Sequence, residues 1–293
     1  MKNAPELWME HLPHIDDATH KYKRGQVCVL GGVSMTGAAC LSADGAARSG
    51  AGLVTIISPR LSTRQRLVMT DPLQTYRVFR PHIIVRENIR MEKYVQTAQQ
   101  KGRVVCVLGP GLGDDDHLTT RNITKALLNA QIPLVLDADG LNAFEHEADE
   151  LFVHVKGEAA FTPHEGEFRR IFPAQADLLE TDRKRAVEEA AERSGAVIIL
   201  KGAHTMIAQK NRETVINDNA PPYLATAGSG DVLSGMIAGL SAQGMSLFEA
   251  ACAAVWMHGE AAKIHGIGLV AEDLPYLIPK VMQEVLGIGA KVR

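Results

Sequence analysis

Short apolar, β-branched runs alternate along this chain with longer stretches whose apolar residues recur at helical spacing. Residues 26–30, 53–57, 104–108, 133–136, 159–162 and 196–200 read as strands, apolar nearly throughout. Residues 38–49, 120–130 and 182–194 read as helices, the first rich in alanine and closed by Gly50-Ala-Gly52. Residues 205–208 and 214–216 read as a hairpin turning at Lys210-Asn-Arg212. Ser246-Leu-Phe-Glu249 is a capping-box start for a helix reaching about residue 264. Strands that are apolar on both sides and separated by helices predict an α/β fold, a mostly parallel central sheet flanked by helices on both faces. No Pro/Ser-rich linker or internal repeat interrupts the pattern, so one domain over residues 1–293 is expected.

Composition narrows the classes. Aromatics are only 5% within 46% hydrophobic residues, which predicts an interior of small aliphatic side chains. A net charge of -3 gives no footprint for nucleic acid. No run approaches the roughly 18 apolar residues of a membrane span. Glu6, Glu10, Asp16 and Asp17 break up the region where a signal peptide would carry its apolar stretch, so a cytoplasmic protein is expected. Cys28, Cys40, Cys106 and Cys252 form no CxxC pair, which predicts buried free thiols rather than a zinc site.

The chemistry concentrates in the segment 219–240. A loop of prolines and small residues enters Gly228-Ser229-Gly230, and an apolar helical run follows at once. Amides at a helix start lack internal partners and, with the helix dipole, favour an anion such as phosphate. Asp231 stands at the same place. A carboxylate there is either a helix cap or a general base beside a transferring phosphoryl group.

In parallel sheets functional residues gather at the carboxyl ends of strands, and Gly, Asp, His and Lys accumulate there: after Leu30, Leu108, Leu136, Thr162 and Leu200. Gly31-Gly-Val-Ser-Met-Thr-Gly37 lacks the G-x-G-x-x-G dinucleotide fingerprint and reads as the wall of some other pocket. Gly109-Pro-Gly-Leu-Gly113 lacks the lysine of a phosphate-binding P-loop but sits on the functional edge. Asp137 and Asp139 would suit a hydrated Mg²⁺, or cap a helix before Leu141. Glu165 and Glu167 suit Mg²⁺ in the same way, and His164 beside them is a ligand or a structural histidine. Lys201 is placed either for a phosphate or as a lysine reaching for solvent. His258, on the last long helix, reads as packing or polar lining.

Seven motifs in order carry a resemblance over almost the whole chain: Met35-Thr-Gly-Ala-Ala39, Arg48-Ser-Gly-Ala-Gly-Leu-Val54, Gly109-Pro-Gly-Leu-Gly113, Asp137-Ala-Asp-Gly-Leu-Asn142, Thr162-Pro-His-Glu-Gly-Glu167, Leu200-Lys-Gly-Ala-His-Thr205 and Ala225-Thr-Ala-Gly-Ser-Gly-Asp231. The chain resembles the ADP/ATP-dependent NAD(P)H-hydrate dehydratases, which have a ribokinase-like fold. The resemblance implies an anion hole at Gly228, Ser229 and Gly230, with Asp231 as catalytic base. It implies that Ala39, Gly111, His164 and Asp231 contact hydrated NADH or NADPH. Lys201, Gly202, Ala203, His204, Thr205 and Gly230 would contact the adenine nucleotide. His164 and Glu167 fall on the Asn and Glu of the N-x-x-E metal pattern of the wider superfamily, so Glu167 is the candidate Mg²⁺ contact and His164 a departure. Pro221-Pro-Tyr223 is a second departure, where many relatives read Asn-Pro-Gly. The resemblance further implies Mg²⁺, ADP or ATP as phosphoryl donor, a functional link to an NAD(P)H-hydrate epimerase, and a homo-oligomer such as a tetramer. A stand-alone dehydratase without the epimerase domain of some relatives is expected. The competing readings are a small-molecule kinase of the same fold and a non-catalytic nucleotide sensor.

Overall fold

The computed structural model describes residues 1–33, 35–58, 71–87, 91–113 and 116–287. Among them the strands are β1 (Gln26–Leu30), β2 (Leu53–Ser58), β3 (Ile84–Glu87), β4 (Val104–Leu108), β5 (Leu134–Leu136), β6 (Ala159–Phe161), β7 (Val197–Leu200), β8 (Thr205–Ala208) and β9 (Val215–Asn217). They form one sheet in the order β3-β2-β1-β4-β5-β6-β7-β8-β9. Every pairing from β3 to β7 is parallel, while β8 and β9 are antiparallel additions. The expected hairpin is therefore present, and Asn211 takes the left-handed conformation (φ 62°) that its turn demands.

The helices are α1 (Thr36–Arg48), α2 (Pro72–Phe79), α3 (Met91–Gln99), α4 (His117–Asn129), α5 (Asp139–Asn142), α6 (Ala148–Phe152), α7 (Glu165–Ile171), α8 (Leu178–Thr181), α9 (Arg183–Ser194), α10 (Ser229–Ala242), α11 (Leu247–His265) and α12 (Leu274–Val285). Successive strand residues point to opposite faces, and the core divides accordingly. Val27, Val29, Val105, Val107 and Val135 pack under α1, α2 and α10–α12. Cys28, Leu30, Cys106, Leu108 and Leu136 pack under α3–α9. All four cysteines are buried and free, as expected. No described helix is long and apolar enough to cross a membrane.

The sequence pattern left β3, α2, α3 and α12 unassigned. β3 is an edge strand whose Arg86 and Glu87 are exposed, so it lacks the continuous apolar run that betrays a central strand.

Two features of this frame position the site. The chain steps from β1 outward to β2 and β3, then returns to place β4 on the other side of β1. The carboxyl ends of β1 and β4 thus flank a topological switch point, where open α/β sheets bind ligands. Secondly, α1 and α10 meet backbone to backbone. A Cβ on Gly235 would lie 1.9 Å from the Ser42 carbonyl oxygen, one on Gly45 2.4 Å from that of Val232, and one on Gly239 2.5 Å from that of Ala46. That seam fixes where the amino end of α10 emerges over the sheet.

Candidate active site

α10 begins at the Gly-Ser-Gly-Asp segment. Its N-cap is Gly228, held at φ 89°, where a side chain would be strained and would meet Leu41 Cδ1 at 2.5 Å. The Ser229 amide is spent on the Thr226 carbonyl at 3.2 Å. The open donors at this helix start are therefore the amides of Gly230 and Asp231, which have no protein acceptor among the described residues. Of the expected hole, Ser229 has its amide tied into the turn, and the amide that stays open beside that of Gly230 is the one on Asp231.

Asp231 is the third residue of the helix and its carboxylate caps nothing. The capping alternative is thereby removed. Burial pushes its pKa up to about 7, reinforced by the charge of Asp137 and, less strongly, of Asp139 and Glu167, while Lys201 pulls the other way. A carboxyl poised near neutrality in a cleft has the properties of a general base.

Lys201 extends from the end of β7 into this cluster. Its Nζ lies 2.7 Å from Asp137 Oδ1 and 3.8 Å from Glu167 Oε2. Its side chain is 20% exposed and that of Asp137 1%, so Lys201 is not a lysine reaching for solvent. Burial works against its charge, but Asp137 and Glu167 more than offset that, and its pKa stays above the ordinary lysine value. A Cβ on Gly230 would sit 3.5 Å from the same ammonium, which places Lys201 directly beside the helix start.

Strained and cap geometry holds the surrounding loops. Ala138, between the two aspartates, has φ 43° and ψ −120°, an arrangement costing about 1–3 kcal/mol. It sends Asp137 to Lys201 and Asp139 to the Gly113 amide at 2.8 Å, which ties the β5 loop to the β4 loop. His164 is the N-cap of α7. Its Nδ1 accepts from the Glu167 amide at 3.2 Å, and Glu167 Oε2 accepts from the His164 amide at 2.7 Å. The His164 ring remains 55% exposed, free to touch a ligand, whereas Glu167 is buried. The Lys201 amide donates to the Pro163 carbonyl at 2.9 Å and joins the two loops.

On the switch-point side the loops after β1, β4 and β5 leave no room for side chains. A Cβ on Gly32 would meet the Gly111 oxygen at 1.5 Å, on Gly109 the Asp137 oxygen at 1.6 Å, and on Gly111 (φ 69°) the Met35 oxygen at 2.2 Å. Tyr76 Oη donates to the Gly32 carbonyl at 2.7 Å. Ala39 lies near this wall in the first turns of α1, but its side chain is fully buried. Gly202, Ala203 and His204 form an exposed turn, closed by Thr205 Oγ1 donating to the Gly202 carbonyl at 3.1 Å.

The structure therefore gathers Asp137, Glu167, Lys201, Gly230 and Asp231 into one cluster, with Gly111 and His164 on the loops around it. Sequence reasoning missed Asp137 as the partner of Lys201, a pairing that spans 64 residues and leaves no local signal. His258 is buried behind the start of α10, and burial lowers its pKa to about 4 against a backbone contact with Ser229. That agrees with its reading as polar lining. Among the described residues no group of three or more His, Cys, Asp and Glu forms a metal cage. The oxygens of Asp137 and Glu167 suit Mg²⁺ in type but are engaged by Lys201 and His164. They suit a hydrated ion carried mainly by phosphates rather than a cage of protein ligands.

A doubly wound sheet with glycine-built loops and a cluster of Asp, Glu and Lys at its carboxyl edge has the ribokinase-like architecture. A ribokinase-like superfamily protein of Enterococcus faecalis superposes with a TM-score of 0.77 at 23% identity, over 96% of this chain and 95% of that one. The chain belongs to the NAD(P)H-hydrate dehydratase family, whose model matches residues 27–278. The ADP/ATP-dependent NAD(P)H-hydrate dehydratase of Bacillus subtilis, co-crystallized with ATP/Mg²⁺, superposes with a TM-score of 0.79 at 26% identity, covering 97% of this chain and 98% of that one. The bifunctional NAD(P)H-hydrate repair enzyme Nnr of Salinibacter ruber is 36% identical over an alignment of 292 positions that covers 96% of this chain and 52% of that protein. The chain spans about half the length of the curated relatives it matches.

Proposed function

We propose that this chain uses ADP or ATP to dehydrate hydrated NADH or NADPH, restoring the reduced nicotinamide cofactor. The observation that carries the reading is Asp231: an uncapped carboxyl with a pKa near 7, set among free helix-start amides beside Lys201, in a chain of this family.

The hydrated ring bears a hydroxyl, and hydroxide is a poor leaving group. Asp231 takes the hydroxyl proton as that oxygen attacks the terminal phosphorus of the nucleotide. The amides of Gly230 and Asp231, with Lys201, stabilise the charge on the transferring group. Mg²⁺ bound with the nucleotide would neutralise further phosphate charge, with Glu167 as its protein contact. The ring nitrogen then expels phosphate, and loss of a proton from the adjacent carbon restores the double bond. Asp137 holds Lys201 in place throughout.

In this reading Ala39, Gly111, His164 and Asp231 face the hydrated cofactor. Ala39 serves through the backbone of α1, since its side chain is buried. Lys201–Thr205 and Gly230 face the adenine nucleotide. The Nnr relatives are bifunctional repair enzymes of which this chain matches about half, and the proposal extends to a functional partnership with an NAD(P)H-hydrate epimerase. One sheet running through the described residues supports a single domain. A cytoplasmic homo-oligomer completes the proposal.

The test is incubation with hydrated NADH, Mg²⁺ and each nucleotide in turn. Return of the near-ultraviolet absorbance of the reduced ring, with release of free phosphate, is the expected result. A stable phosphorylated alcohol would identify a kinase instead, and nucleotide binding without turnover a sensor.

A further inference from the structure

A cavity of about 250 Å³ opens at the amino ends of β1, β2 and β3, where Gln26, Leu53 and Ile84 begin their strands. The candidate active site lies at the carboxyl ends of the sheet. Along β1 the five residues from Gln26 to Leu30, at about 3.3 Å each, span roughly 15 Å, and none of the residues of the candidate active site lines the cavity. The cavity is thus a different place from the catalytic cleft.

Its walls carry three cations, Lys21, Arg86 and Lys101, and no acidic side chain. None of the three has a carboxylate partner among the described residues. This runs against the sign of a chain whose net charge is -3. The contrast with the other cavity is instructive. That one, of about 360 Å³ beside Trp8, also holds charges, but Arg212 there is answered by Glu249 at 3.4 Å and the Met1 ammonium by Glu213 at 2.8 Å. Around the strand-start cavity the positive charge is left open.

Two of these cations lie against one aromatic ring. The ammonium of Lys21 lies 5.2 Å from the centre of the Tyr22 ring and that of Lys101 5.8 Å from the same ring. Tyr22 and Tyr94 add aromatic faces, and Leu53 and Ile84 an apolar floor. Two glycines hold the turn bearing Lys21 and Tyr22 against the sheet. A Cβ on Gly52 would meet the Lys21 carbonyl oxygen at 2.0 Å, and one on Gly102 that of Tyr22 at 2.5 Å. Arg86 adds a planar donor fork suited to phosphate oxygens.

We propose that this cavity is a second anion site, which binds a small phosphate monoester with the phosphate among Lys21, Arg86 and Lys101 and the organic part against Tyr22 and Tyr94. A dianionic phosphate would relieve the mutual repulsion of the three cations. The volume admits a phosphorylated sugar or small ring.

The test is calorimetric titration of ribose 5-phosphate and of inorganic phosphate into three proteins: wild type, an Arg86→Gln/Lys101→Gln double variant, and Lys201→Ala. Both substitutions in the double variant are at exposed positions, and neither residue belongs to the candidate active site. A thermal melt matching wild type confirms that the double variant is folded. The expected result is binding of ribose 5-phosphate that weakens with salt, falls at least tenfold in the double variant and persists in Lys201→Ala. No saturable binding to wild type, or equal binding to the double variant, overturns the site. Loss in Lys201→Ala alone assigns the binding to the catalytic cleft and also overturns it. Inorganic phosphate binding as tightly as the ester would overturn the role given to the tyrosines. Dehydratase activity is a separate measurement, so this site and the proposed reaction stand or fall independently.

Discussion

The pH dependence of turnover tests the assignment of Asp231 as base most directly. An ordinary aspartate titrates near 4 and would stay ionised over the whole working range. Asp231, half-buried and under the charge of Asp137, is lifted to about 7. Only about a tenth of it is then ionised at pH 6 and about a hundredth at pH 5. The expected kcat/KM falls about tenfold per unit below about pH 7 and levels off above about pH 8. Asp231→Asn should lower kcat by roughly 10²–10⁴ at pH 8 and abolish that limb. The variant also serves as the control for the nucleotide, whose terminal phosphate titrates near 6 as well. Stability carries the opposite sign. A raised folded pKa means that the folded chain holds the extra proton, so the contribution is full below about pH 4 and is lost as pH rises through about 7. Wild type should lose stability across that window relative to Asp231→Asn, as followed by urea unfolding at several pH values. A flat rate profile between pH 5 and 8, or an Asn variant within a few-fold of wild type, would refute the assignment.

Three further outcomes are expected. Lys201→Ala should weaken adenine nucleotide more than hydrated cofactor in calorimetry; it also strands the 1% exposed Asp137, at about 3–5 kcal/mol in a denaturant titration. Gly235→Ala drives a Cβ to 1.9 Å from the Ser42 carbonyl and should lose about 3 kcal/mol by thermal melting, whereas Gly37→Ala, with open space around it, should change stability by less than about 1 kcal/mol. Activity should need Mg²⁺, and Glu167→Gln should raise the concentration required while loosening the α7 cap by about 1 kcal/mol; full activity in excess chelator would overturn the metal's role.

Much of this fold was legible because central strands advertise themselves. Residues 27–30 and 104–108 are buried on both faces and every one of them is apolar, while Gln26, also buried, begins β1 with its side-chain amide donating to the Ala98 carbonyl. β3 carries no such constraint: it pairs on one side with β2 and exposes Arg86 and Glu87. Its residues look like loop until the sheet is seen. The short α5 was hidden for a related reason, since it starts from the strained backbone of Ala138, a conformation that no propensity predicts.

The site was legible in its members but not in its pairings. Glycine punctuation identified the loops, yet could not say which glycine bears the strain. Gly230 has an ordinary φ, and its Cβ would make only a 3.5 Å contact with Lys201; the left-handed position is Gly228. The difference matters for function. A side chain at Gly228 would distort the entry of the helix, whereas one at Gly230 would leave the turn intact and occupy the space between the open amides and the Lys201 ammonium. Gly230→Ala should therefore fold normally and fail at phosphate, while Gly228→Ala should lose stability first. The electrostatics were equally hidden from the sequence. Asp137, Glu167, Lys201 and Asp231 come from four different segments, and each would be unremarkable alone. Only their convergence makes one carboxylate a structural counter-ion, at 2.7 Å from Lys201, and leaves another unpaired with a pKa near neutrality. The same residue type thus does two jobs a few ångströms apart, and burial with charge placement decides which.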